Sequence, residues 1–301
     1  MSSTLQGSKA NPHAPALSGW FTIPPVLARL FKRFPLLTYP PNELPTRSPD
    51  IRDVPTLYVF ISDEDALEGL PSFNPSCLKW QTFLKLAGVD FCVRSSNNHA
   101  SPTGALPFLL PPSAPNDVTP QRPVPSNKLE QYGLKNGQFK LPGNPDPRLE
   151  AYESLLNHRV RDAWLYTLYI SPANTDLLTY FYIAPATSSR LVRATLLHQL
   201  RHAAELGILR STGRNAIDPE ALYNGAEEAF GALDAVLGDD MWFFGSEIPG
   251  LFDATMFSYT HLVLHEDLAW ENRRLNDILK KFPRLVEHRD RIYQKCWGFN
   301  T

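Results

Sequence analysis

The stretch Trp242-Phe-Phe-Gly-Ser-Glu-Ile-Pro-Gly-Leu-Phe-Asp-Ala254 decides the fold, because it describes a loop that leads into a helix with almost no polar face. Gly250 is an acceptable N-cap residue. Asp253 stands three residues further on, where its carboxylate can accept from a backbone N–H and complement the positive end of the helix dipole. The residues from Ala254 to Leu264 are apolar apart from hydroxyl groups and His261. A helix that is apolar all round is buried, so we expect this one to be the centre of a helical core.

Proline usage divides the chain into two halves. Of the 28 prolines, 23 precede Leu149, so loops and strands are expected first and long helices afterwards. We place the helical domain at residues 145–301, and its second helix carries apolar residues at helical spacing, namely Val192, Leu196, Leu200 and Ala203. Its predicted helices are Pro147 to Ile170, Thr187 to Gly207, Pro219 to Leu237, Gly250 to Leu264 and Phe282 to Trp297.

Residues 51–137 have the pattern of a thioredoxin-like α/β domain. The predicted order is strand, helix, strand, Leu-Pro, strand, and the proline of such a domain is cis, which makes Pro107 the candidate. Residues 111–125 are a proline-rich insertion, and residues 1–50 are an extension that is partly disordered. The predicted elements are strands from Val54 to Ser62, from Asp90 to Arg94 and from Pro107, with helices from Ser76 to Ala87 and from Ser126 to about Lys135.

Three motifs together carry a family resemblance. They are Asn74-Pro-Ser-Cys-Leu78 at the first helix, Ser101-Pro-Thr-Gly-Ala-Leu-Pro107 before the third strand, and Phe252-Asp-Ala254 at the buried helix. The last resembles the helical domain of the glutathione transferase fold, and their order and spacing over residues 54–301 are similar to the metaxin family. This resemblance implies a glutathione-transferase-like α/β plus all-α architecture.

The resemblance also implies a function. Metaxin-like proteins are subunits of the sorting and assembly machinery of the mitochondrial outer membrane, and the chain most resembles the smaller cytosolic-face receptor subunit of the fungal complex. It is then a peripheral, non-catalytic protein on the cytosolic face of that membrane. The implied partners are the barrel-forming subunit, a metaxin-like sister subunit and the sorting signal of β-barrel precursors. Two alternatives remain open: a soluble glutathione-transferase-like enzyme, and a structural cap that never touches precursor.

The residues that glutathione chemistry needs are incomplete. The position of a reactive cysteine at the first helix holds Asn74, and the acidic-Ser pair expected before the next helix is replaced by Ser126-Asn-Lys128 without a carboxylate. Tyr58, Ser72, Ser76 and Cys77 are the remaining thiolate-stabilising candidates. Cys77 is either a packed core residue or a nucleophile with a low pKa. We therefore predict no catalytic residue, no cofactor and loss of the glutathione site.

Composition excludes several other classes of function. A net charge of −2 gives no general attraction to nucleic acid. Three cysteines are too few for a disulfide framework, and the pairs His198/His202 and His261/His265 lack a third metal ligand, so no metal site is predicted. The first residues lack the pattern of a secretory signal or mitochondrial presequence, and no stretch is long and apolar enough to span a membrane.

Two segments are candidate contact surfaces. After Pro24-Pro25, a short amphipathic helix with a basic face can lie on an anionic membrane or a partner, or pack on its own domain. This helix belongs to the segment from Trp20 to Leu37, whose candidate contact residues are Trp20, Phe21, Leu27, Arg29, Leu30, Phe31, Lys32, Arg33 and Phe34. The second segment is basic and is either a solvated face or a surface for an acidic partner. Its basic residues are Arg273, Arg274, Lys280, Lys281, Arg284, Arg289, Arg291 and Lys295.

Overall fold

A four-stranded mixed sheet forms the first half of the protein. The computed structural model describes residues 53–113, 122–138 and 146–298. Strand β1 (Thr56–Val59) pairs in parallel with β2 (Cys92–Ser95) and antiparallel with β3 (Phe108–Leu110). Strand β4 (Val124–Pro125) joins β3, which gives the order β2-β1-β3-β4. The last two residues of the predicted proline-rich insertion are therefore an edge strand.

Three helices accompany the sheet: α1 (Asp63–Glu68), α2 (Pro75–Leu86) and α3 (Leu129–Asn136). The sequence predicted α2 and α3 but not α1. The signals for α1 are local, because the Ser62 hydroxyl accepts from the backbone N–H of Asp65 and Gly69 ends the helix at φ +68°.

Residues 146–298, the part of the second half that the structure describes, contain seven helices longer than a single turn. Helix α7 has the predicted bounds, and α5 and α9 were not predicted. Several turns of α4 and the last turn of α5 are π-helical. The helices are α4 (residues 149–170), α5 (residues 172–183), α6 (Arg190–Thr212), α7 (Pro219–Leu237), α8 (Leu251–Leu264), α9 (Arg274–Leu279) and α10 (Pro283–Trp297). None of the helices in the described ranges is long and apolar enough to cross a membrane.

Helix α8 lies at the centre of the helical core, as its sequence predicts. Every residue of α8 from Phe252 to Val263 is buried. Helix α2 joins this core to the core of the sheet. Its Phe83 belongs to the helical core, whereas Cys77 and Leu84 belong to the core against the sheet. The two halves thus share one helix that is buried on both sides.

The sequence predicts a helix at α6, and the structure has one, but its apolar set does not form a buried face. Val192 of that set is 45% exposed, and the buried residues of α6 are Ala204 and Ile208. Apolar residues occur on more than one side of α6, so their spacing does not say which side has a neighbour to pack against. Its apolar N-terminal turn is exposed instead, and Leu191 is 79% exposed.

Candidate functional site

The start of α2 is where a glutathione transferase would stabilise a thiolate. Here Asn74 caps the helix, and its Oδ1 accepts from the backbone N–H of Cys77 at 3.2 Å. Its Nδ2 donates to the Tyr182 hydroxyl of α5 at 3.0 Å. Both ends of the amide are therefore engaged within the protein, and the side chain joins the two halves of the molecule.

Three of the four other candidate groups at this position are buried and committed to the structure. Cys77 is completely buried, and burial raises the pKa of its thiol to about 12, so the thiol is protonated at neutral pH. The buried Ser72 hydroxyl donates to the Phe60 carbonyl at 2.6 Å and accepts from the backbone N–H of Asn74 at 3.2 Å. Tyr58 is buried, with its ring stacked on Phe108. Ser76 alone among the candidates is exposed.

Aromatic side chains fill the space between α5 and the start of α2. Phe73 packs on Phe181 with ring centroids 4.6 Å apart, and Tyr182 lies 5.4 Å from both Phe60 and Phe73. The Tyr169 ring lies 5.9 Å from Tyr182. Burial raises the pKa of both tyrosine hydroxyls. We call these five residues the interdomain aromatic cluster, because they lie where α5 meets the start of α2.

The loop before β3 places Pro107 beside the sheet. The Leu106–Pro107 peptide bond is cis. The backbone N–H of Leu106 donates to Asn98 Oδ1 at 3.0 Å, and the Ser101 hydroxyl donates to the Ala105 carbonyl at 2.7 Å. These bonds are made inside the loop and hold its backbone next to β3.

The turn before α3 lacks the expected acidic group. Ser126–Lys128 forms a single 3₁₀ turn without a side-chain cap and without an acidic residue. A glutathione transferase uses a carboxylate here to hold the amino group of its ligand, so this turn offers no charge partner for such a group.

Asp253 is the most connected buried acid. Its Oδ2 accepts from the backbone N–H of Gly250 at 2.8 Å, the capping bond that the sequence suggests. Its Oδ1 accepts from the backbone N–H of Phe243 at 3.0 Å and lies 2.9 Å from His288 Nε2 of α10. Both acid and imidazole are buried, so this node ties together the loop before α8, the helix start and α10. Sequence reasoning missed His288, because nothing local marks a histidine 35 residues away as the partner.

The basic C-terminal segment is largely neutralised within the protein. Glu220, Glu227 and Asp234 recur every seven residues along α7 and face Arg274, Lys281 and Arg284 respectively. Arg289 and Arg291 face Asp290 and Glu287 on their own helix. Such exposed pairs stabilise a fold by about 0–1 kcal/mol each, but they remove the net positive charge of a surface. These ion pairs favour the interpretation of a solvated face for the five residues over that of a surface for an acidic partner.

The two histidine pairs differ in their surroundings. His198 and His202 are exposed, and their rings are parallel at 6.2 Å. His261 is buried against Phe257, and neither of its ring nitrogens has a partner in the described part of the chain. Burial lowers the pKa of His261 to about 2, so it is neutral at physiological pH. No group of three or more metal-ligating residues occurs in the described ranges.

The nine candidate contact residues from Trp20 to Phe34 lie outside the described residues. The structure therefore does not place the amphipathic segment that the sequence suggests, and its role stays a prediction.

Comparison with known families supports the architecture in both halves. Residues 75–174 match the family model for the glutathione S-transferase N-terminal domain, and residues 226–292 match the model for its C-terminal domain. The chain has the glutathione transferase fold. Among solved structures, it resembles glutathione S-transferase III in its apo form at a TM-score of 0.44 and 14% identity, covering 80% of this chain and 91% of the other. With the β-etherase LigF from Sphingobium sp., the TM-score is 0.47 and the sequence identity is 15%, and the match covers 80% of this chain and 95% of the other.

The curated relatives of the chain are named metaxins and not glutathione transferases. Human Metaxin-1 is 27% identical over 206 residues, which are 66% of this chain and 43% of the human protein. Metaxin-1 of Macaca fascicularis is also 27% identical over 206 residues, covering 66% of this chain and 63% of that protein. The Metaxin-1 homolog of Caenorhabditis briggsae is 27% identical over 224 residues, covering 72% of this chain and 67% of its own length. The chain thus spans less than two thirds of the length of the first two relatives.

Proposed function

We propose that the protein is a non-catalytic subunit of the sorting and assembly machinery of the mitochondrial outer membrane, peripheral on its cytosolic face. In this role it binds the barrel-forming subunit and a metaxin-like sister subunit, and it helps to receive the sorting signal of β-barrel precursors. Support comes from the relatives named Metaxin-1 and from the motifs at Asn74, Pro107 and Asp253. Among the metaxin-like subunits, we propose that this chain corresponds to the smaller receptor subunit of the fungal complex.

The absence of catalysis is part of the proposal, and the interdomain aromatic cluster is the observation that carries it. Asn74 replaces the reactive group and is bonded to Tyr182, while the Cys77 thiol is buried and protonated. Aromatic rings pack closely beside the start of α2, next to Asn74. A protein of this fold can thus keep its scaffold for assembly after losing its chemistry.

Glutathione turnover distinguishes this proposal from the alternative of a soluble glutathione-transferase-like enzyme, which the descriptions of the matched domain models favour. We expect the purified protein neither to bind glutathione in calorimetry nor to conjugate it to a standard electrophile. An active glutathione transferase run in parallel is the positive control. Saturable turnover that is lost in Cys77→Ala would establish the enzyme and refute the proposal.

Assembly is tested separately by affinity purification from gently solubilised mitochondria. We expect the barrel-forming subunit and the metaxin-like sister to co-purify, and carbonate at high pH to release at least part of the protein from the membrane. Full resistance to carbonate together with protease protection in intact mitochondria would contradict a peripheral cytosolic-face subunit. Crosslinks to arrested precursor separate the receptor role from that of a structural cap.

The N-terminal segment gives this assay a variant. Reversal of three charges to Glu should weaken capture of the barrel-forming subunit if the segment binds an acidic surface, and added salt should mimic the effect. Deletion of residues 1–45 should do the same and leave the circular dichroism spectrum of the folded part unchanged. Normal assembly of both variants would show that the segment is dispensable. The reversed residues are Arg29, Lys32 and Arg33.

A further inference from the structure

Exposed apolar side chains concentrate on α6 and on the turn of α5 that packs against it. Seven large hydrophobic side chains are exposed in the described part of the chain, and four of them lie between residues 180 and 206. Tyr180 is 70% exposed, Leu191 79% and Val192 45%, and Leu206 follows further along α6 at 36%. Scattered single apolar residues are normal on a surface, but a concentration on one element indicates a contact. We call these four residues and the flanking Arg190 and Arg193 the α6 surface.

The charge of α6 is one-sided. The helix contains four arginines and a single acidic residue, Glu205, which lies 3.8 Å from His202. No arginine of α6 forms an ion pair with a carboxylate in the described ranges, whereas Arg274, Lys281 and Arg284 on the other side of α7 each face one. The protein therefore neutralises one basic surface internally and leaves the other unneutralised.

The arginines next to the exposed apolar pair remain available for an external anion. Arg190 is exposed and immediately precedes Leu191. Arg193 follows Val192, and its Nε donates to the Thr187 carbonyl at 2.8 Å, which orients the guanidinium and leaves its remaining N–H groups for other acceptors. Arg201, by contrast, already donates a hydrogen bond from Nη2 to the Thr175 hydroxyl at 2.6 Å. The sequence Arg-Leu-Val-Arg thus presents two aliphatic side chains between two cationic ones.

We propose that the α6 surface binds an anionic lipid bilayer. The side chains of Leu191, Val192 and Tyr180 enter the interface between headgroups and acyl chains, and Arg190 and Arg193 bind lipid phosphates. Exposed apolar side chains flanked by cationic ones bind a membrane interface in this way, and each basic residue near an anionic membrane strengthens the binding. Charge complementarity favours an anionic bilayer, because Arg190 and Arg193 form no ion pair with a carboxylate in the described ranges. The exposed aliphatic side chains gain from a fluid apolar phase without needing a matching pocket. The inference deepens the proposed function by adding a lipid contact to a membrane-associated subunit.

The test uses the full-length protein and vesicles of phosphatidylcholine, alone or mixed with phosphatidylglycerol. We expect flotation with the mixed vesicles and little with phosphatidylcholine alone. Arg190→Gln with Arg193→Gln should weaken binding about tenfold or more, and so should Leu191→Ser with Val192→Ser. The matched controls are Arg284→Gln, a basic residue paired with Asp234, and Met241→Ser, an apolar residue that is 61% exposed on another segment. Both controls should bind as the wild type does.

A second measurement locates the contact directly. An environment-sensitive fluorophore on Leu191→Cys, in a Cys92→Ser background, should shift to shorter wavelength on mixed vesicles, whereas the same label on Met241→Cys should not. If both α6 double variants float as the wild type does, or if only Trp20→Ser with Phe21→Ser abolishes binding, the inference is wrong. Loss of capture by the barrel-forming subunit without any loss of vesicle binding would overturn the lipid assignment and indicate a protein partner. Because the vesicle assay contains no mitochondrial component, its outcome is independent of the proposed function.

Discussion

Replacement of Asp253 by alanine gives the sharpest test of how the helical core is held together. The substitution removes the acceptor for Gly250 at the start of α8, and loss of a cap costs about 0.5–2 kcal/mol. It also leaves the buried N–H of Phe243 without a partner, at about 1–3 kcal/mol. His288 loses the acid beside it in the same step. The expected loss in the free energy of unfolding is about 3–4 kcal/mol in total.

Thermal unfolding followed by circular dichroism measures this loss. For a protein of this size, about 1 kcal/mol shifts Tm by about 2–4 °C, so Asp253→Ala should lower Tm by about 10 °C. Asp253→Asn keeps one carbonyl acceptor and should lose about half as much stability. Asp277→Ala, at an exposed position of α9, is the matched control and should stay within about 0.5 kcal/mol of the wild type. A Tm for Asp253→Ala within about 2 °C of the wild type would refute the reasoning.

Two further predictions follow from buried titratable groups. The pKa of His261 is about 2 in the folded state and 6.5 ordinarily, so the unfolded chain binds the proton first and stability falls as the pH drops below 6.5. At pH 5 this penalty is about 2 kcal/mol. The variant His261→Phe keeps the stacking on Phe257 and should remove the penalty. If the free energy of unfolding has the same slope against pH in the wild type and the variant, the assignment to His261 is contradicted. At pH 8 one thiol, that of the exposed Cys92, should react rapidly with a disulfide reagent, because burial raises the pKa of Cys77 and Cys296 to about 12. Three rapidly reacting thiols in the native protein would show that the buried cysteines are accessible.

Local patterns in the sequence predicted the elements that have strong local causes. Helix α8 follows from an apolar run after Gly250 and Asp253, and α7 follows from Asp218 and Pro219 at its start, where the Asp218 carboxylate accepts from the backbone N–H of Ala221. These signals act within one helical turn, so they can be read without knowledge of the fold. Helix α2 was predicted from the helical spacing of its apolar residues, and the structure adds Asn74 as its N-cap.

The contacts that define the candidate site are long-range, and the sequence patterns did not predict them. Asn74 meets Tyr182 across 108 residues, and the periodicity of α5 gave no sign of a helix there. The acids of α7 were not recognised as partners of the basic segment, because opposite charges 54 residues apart look the same whether they pair or not. For α6 the apolar spacing was visible, but burial depends on what lies opposite, and the residues of this helix that become fully buried are Ala204 and Ile208.

The bonds that cross between the two halves have a mechanical consequence. Asn74 is joined to Tyr182 at one end of the shared boundary, and the Trp297 indole N–H of α10 donates to the Gly69 carbonyl at the other, 2.9 Å away. With α2 buried between them, the sheet and the helices are expected to melt in a single transition and to lack a hinge. A partner that touches both halves would then meet surfaces already fixed in their mutual orientation, and no conformational entropy would be lost in bringing them into register.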